Sequence, residues 1–187
     1  MVSLPMLWMP ILLAAVLVFF GGFVLWMLLP LHKADYRGVP DEAAVADVLR
    51  RQNLAPWQYV VPWSGGDPKA MQNPEFARKM ETGPIAYITI APPGRPRMGR
   101  NLALYFLFAL VVSVMVAYVA GRTLPAGTEY LEVFRLTASV AILAYGAAVV
   151  PGAIWFGKPW SAMWKEVFDG VVLGLLTAGA FGWLWPS

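Results

Sequence analysis

The side chains able to do chemistry are few, and they stand at the edges of long apolar runs. His32 directly follows the first such run. An imidazole there can ligate a haem or chlorophyll-type metal, or relay a proton. It is the single histidine of the chain, which excludes bis-histidine haem ligation and the usual zinc sites. Glu166 and Asp169 open the last apolar run. Three residues apart on a helix, they share a face, and paired carboxylates can do acid–base work. Lys165 stands four residues before Asp169, a spacing at which the two can pair. Glu129 and Glu132, with Arg122 and Arg135, surround a connecting stretch that reads as a solvated loop with local ion pairs.

Each group also has a plainer account. His32 fits an interfacial polar residue. Glu166 and Asp169 fall in the first two turns of their span, which water and headgroups reach. There is no cysteine, no phosphate-cradling glycine loop and no Gly-x-Ser-x-Gly. No charged residue stands at the middle of a span, where an ion pathway usually needs one. Two carboxylates without a base, metal site or nucleophile define no reaction class. The expectation is therefore a protein that is not an enzyme and holds no cofactor or metal. Among the polar residues, Asp169, Glu166 and His32 are the ones to watch.

The elements that position these residues follow from composition. The chain of 187 residues is 59% hydrophobic and 13% charged. A soluble domain is nearer about 45–50% and about 25%. The net charge of +3, without a basic run, does not fit a nucleic-acid binder. A spanning helix needs about 20 apolar residues. Four stretches supply them: about Leu7 to Leu31, Leu102 to Gly121, about Leu136 to Phe156, and about Val167 to Trp185. The first lacks the preceding positive charge of a signal peptide and is too long for one, so it reads as an uncleaved anchor. The expected fold is an all-α membrane protein of four transmembrane helices. A small α+β cytosolic domain, residues 32–100, is inserted between spans 1 (7–31) and 2, and residues 102–185 form a three-helix transmembrane region.

The inserted segment holds ten of the fourteen Lys and Arg, so the positive-inside rule places it in the cytosol and both termini outside. "VPDEAAVADVLRRQN" reads as an amphipathic helix with Val45, Val48 and Leu49 on one face. "PWQYVVPW" and "PIAYITIAPPG" read as strands. "NPEFARKMETG" reads as a helix capped by Asn73, with Pro74 in its first turn and Gly83 past its end. Such a unit is too small for a large core and is expected to lie on the membrane face or on a partner.

The last span carries a packing signal. Gly170, Gly174, Ala178 and Gly182 recur every four residues, and such spacing lets membrane helices approach closely. Before it, Trp160 and Trp164, with Lys158 and Lys165, mark an interface: tryptophan favours that depth and the lysines the cytosolic side.

The pieces "GPIAYITIAPPG", "RMGRNLALYF" and "FDGVVLGLLTAGAFGWLWP" resemble uncharacterised four-span bacterial inner-membrane proteins. The resemblance covers the second strand and the last three spans. It implies a bacterial inner-membrane setting and brings no activity and no catalytic residue. The function expected from these observations is a non-catalytic accessory or assembly subunit of a larger membrane complex. Its partners would be the lipid bilayer and other membrane-protein subunits. The alternative is a small oligomeric transporter or lipid-handling protein that uses Glu166, Asp169 and Lys165 at its mouth and Tyr118, Tyr145 and Thr177 within.

Overall fold

A computed structural model describes residues 1–187. The chain separates into two compact units, residues 1–36 with 97–187, and residues 37–96. The first unit is a bundle of four helices long and apolar enough to cross a membrane: Leu4–Leu28, Met98–Thr123, Tyr130–Trp155 and Trp160–Trp183. We name its regular segments α1 (Trp8–Phe23), α4 (Met98–Thr123), α5 (Tyr130–Gly146), α6 (Val150–Trp155) and α7 (Trp160–Trp183). The second unit holds α2 (Glu42–Arg51), β1 (Gln58–Val61), α3 (Pro74–Thr82) and β2 (Ala86–Thr89).

Three spans are longer than their apolar windows. Span 2 begins at Met98, span 3 at Tyr130 and span 4 at Trp160. The first two turns of these helices carry charged side chains such as Arg100, Glu132, Lys165 and Glu166, so a hydropathy window sees only the hydrocarbon part of each. Glu132 and Arg135 are thus helical rather than in a loop, and Arg122 lies 5.7 Å from the Tyr118 ring centroid. Span 3 is interrupted. A 3₁₀ turn, Ala147–Val149, follows Gly146, and Pro151 in the first turn of α6 has no N–H with which to continue the α5 ladder.

The small residues of α7 face α5. A Cβ placed on Gly170 would stand 2.5 Å from Gly146 Cα, and one on Gly174 would stand 2.9 Å from Ile142 N. Ala178 is fully buried, and Gly182 lies against the Tyr130 ring. The neighbour of this face is within the same chain. On α1, Gly22 makes room for the Tyr105 hydroxyl, which a Cβ would meet at 2.3 Å. Away from His32 the bundle is filled by apolar side chains, among them Leu7, Val116, Val133 and Phe181, each 1% exposed or less. Trp160, Trp164 and Phe168 point out of α7, as membrane-facing aromatics do.

The inserted unit follows its local signals closely. Asp41 caps α2 by accepting from the Ala44 amide, and Asn73 caps α3 by accepting from the Glu75 amide. Gly83 leaves α3 at φ +63°, a conformation glycine adopts without strain. β1 and β2 pair antiparallel with Tyr59 opposite Ile88. The surface between the hairpin and α3 holds an apolar pocket of about 360 Å³, lined by Val60, Trp63, Phe76, Met80 and Ile85 among others.

Candidate functional site

The end of span 1 is irregular in a way that builds a site. After Phe23 the α-helix widens into a π turn, Val24–Leu28, closed by the Leu29 amide donating to the Val24 carbonyl at 2.9 Å. Such turns are rare overall and frequent at functional sites. A 3₁₀ turn, Pro30–His32, follows at once. Together they bring Trp26 and His32 face to face, with ring centroids 4.0 Å apart and planes 1° from parallel.

The imidazole is buried, and a carboxylate meets each of its nitrogens. Nδ1 lies 2.7 Å from Asp35 Oδ2, three residues on in the same segment. Nε2 lies 3.0 Å from Asp169 Oδ2 on α7, an ion-pair distance without good hydrogen-bond alignment. Nε2 has no other hydrogen-bond partner, and the Trp26 side chain is the further polar neighbour of Asp169. Lys165, one turn before Asp169, reaches Asp35 Oδ1 at 2.5 Å. The side chains of His32, Asp35 and Asp169 are each at most 7% exposed, and Lys165, at 30%, forms the more exposed rim. Lys158 and Glu166 form a separate pair beside the cluster.

His32 and Asp169, read separately from the sequence, are therefore one site. Glu166 is not part of it, because its carboxylate is turned to Lys158. Lys165 pairs with Asp35 rather than with Asp169, since Asp169 faces the bundle interior and Lys165 the rim. Asp35 was missed. The available signal was its position three residues after His32, a spacing that a tight helical turn closes. The boundary between the units falls at Arg37 rather than at His32, because these contacts tie residues 32–36 to α7.

The Lys165 ammonium holds the Asp35 carboxyl below its ordinary value, with His32 adding to the effect against some cost of burial. A depressed carboxylate contributes stability above its unfolded pKa of about 3.9 and loses it as pH falls through the lower folded value. Acidification below about pH 4 is thus expected to lower the melting temperature of the wild type. The Asp35→Asn variant should show a shallower decline over the same range. Parallel thermal melts in detergent check this, and parallel slopes would refute it.

Deeper in the bundle the polar groups are hydroxyls. Tyr105 of α4 and Tyr145 of α5 continue inward from Asp169. The Tyr145 hydroxyl is buried and lacks a hydrogen-bond partner. Ser113 and Thr177 neighbour it; each donates to a carbonyl of its own helix, at 2.8 and 2.9 Å, and keeps lone pairs that can accept. Tyr118, expected among the inner polar groups, is instead 48% exposed. A buried carboxylate, an imidazole and an ammonium at the end of a bundle can bind protons and hold charge. No group of three or more His, Asp or Glu ligands has metal-binding geometry.

These features define a multi-pass membrane protein with a buried ionic cluster where spans 1 and 4 meet. No protein-family model, curated protein or solved structure matches the chain.

Proposed function

We propose that the protein is a non-catalytic accessory or assembly subunit of a larger complex in the bacterial inner membrane. The inserted unit would be its cytosolic docking element, a side that rests on the positive-inside rule. The observation that carries this reading is the uncovered apolar surface of that unit. Val45 and Val48 of α2 are 44% and 50% exposed, and Trp57 and Trp63 are 75% and 68% exposed. α2 packs extensively on no other element. A 10-residue helix is marginal alone, and its apolar face gains most when covered. The sealed apolar half of the bundle, closed by Leu7, Val116, Val133 and Phe181, supports a packing role over conduction.

Native purification followed by mass spectrometry of co-eluting proteins tests the proposal. A stable partner is expected, and the Val45→Asp/Val48→Asp variant should lose it while still inserting in the membrane. A monodisperse protein that purifies alone would defeat the subunit role.

A second reading has its own support. The buried His32–Asp169 contact, with Tyr145 and Thr177 deeper in the bundle, favours a small oligomeric transporter or lipid-handling protein. Flux in proteoliposomes that is abolished by Asp169→Asn would favour it over the first.

A further inference from the structure

We infer that the contact between His32 Nε2 and Asp169 Oδ2 is a proton-binding site, holding one exchangeable proton at the junction of spans 1 and 4. The inference rests on donors and acceptors. A carboxylate oxygen can only accept, so the 2.7 Å bond from Nδ1 to Asp35 requires the ring proton on Nδ1. In a neutral imidazole Nε2 is then a bare acceptor. It faces Asp169 Oδ2 at 3.0 Å, and Nε2 has no other hydrogen-bond partner, while the Trp26 side chain is the further polar neighbour of Asp169. Two acceptors at that separation repel. A proton between them, on the imidazole or on the carboxyl, turns the contact into an attraction.

Charge balance gives the same answer. His32 is faced by Asp35 from its own segment, by Asp169 from α7, and by the Trp26 ring from the end of span 1. Lys165 supplies the one cation paired with this set, and Glu166 nearby is already matched by Lys158. Tyr105, from α4, is the neutral titratable neighbour of Asp169 on the inner side. With His32 neutral, two carboxylates face one ammonium. One added proton brings the set to zero, and a net charge at the edge of a hydrocarbon layer is costly. The Lys165 rim offers the route by which this proton exchanges with water.

Because His32 is the only histidine, labelling with ¹⁵N-histidine reports on this imidazole alone, provided the affinity tag contains none. The full-length protein in detergent or nanodiscs would be followed by ¹⁵N NMR as a function of pH. Nδ1 is expected to carry a proton, with Nε2 carrying a second one or sharing it with Asp169. In Asp169→Asn the amide can donate to the bare nitrogen, so the Nε2 proton signal should be lost at neutral pH. The inference is overturned if Nε2 carries or shares no proton at neutral pH in the wild type. It is equally overturned by a free mixture of tautomers, or by an Nε2 proton that Asp169→Asn leaves in place. The wild-type spectrum decides the matter even where the variant does not fold.

Discussion

Gly170→Ala, the addition of a single methyl group, is expected to destabilise the bundle severely, and Gly170→Leu to prevent its assembly. The new Cβ at position 170 would stand 2.5 Å from Gly146 Cα and 2.7 Å from Gly146 N. Those atoms are backbone, so no side-chain rotation relieves the clash, and α5 and α7 must separate. Overpacking a tight interface costs about 1–3 kcal/mol, and more where backbone must move. Separation also forfeits close van der Waals packing, a main attraction between helices in lipid. Gly179 supplies the control. It lies on the same helix, and a Cβ there would meet nothing within 4 Å. Gly179→Ala should therefore be neutral or stabilising by up to about 1 kcal/mol through helix propensity. Thermal unfolding of both variants in one detergent checks the pair. Equal melting temperatures would show that the α5–α7 contact does not have this geometry.

Much of this fold was legible because its signals are local. Caps, prolines and the terminal glycine placed α2 and α3, and residue alternation placed the two strands. The repeat of Gly170, Gly174, Ala178 and Gly182 gave the packing face of α7 but not its neighbour, since spacing on one helix is silent about what lies opposite. Hydropathy set the number of spans and shortened them, because Arg100, Glu132 and Lys165 are helical yet polar. The site was legible only in pieces. His32 and Asp169 were each visible as polar residues beside apolar runs. Their meeting depends on a π turn and a 3₁₀ turn in a segment whose composition reads as plain apolar helix. Asp35, an acidic residue just after a span, looks like any solvated flank until the turn folds it back onto His32 and Lys165.

The second large effect concerns that cluster. His32→Leu is expected to cost about 3–5 kcal/mol, because it leaves Asp169 buried without its one close ionic partner. The double variant His32→Leu/Asp169→Leu should recover most of the loss. Removing both members takes away the burden of burying charge, and apolar replacements of buried ion pairs are often neutral or stabilising. The two single changes are therefore expected to be strongly non-additive, with the double variant losing far less than the sum of the two singles. Denaturant titration of the wild type, both single variants and the double variant measures that coupling. Additive losses would mean that the two side chains act independently, and the 3.0 Å contact would then carry no energy. Recovery in the double variant has a further consequence. A cluster that can be replaced by leucine without loss of stability is not there to hold the bundle together. Its presence would then be explained by the charge and the proton it holds, and the double variant, folded but unable to bind that proton, would be the protein in which to look for lost function.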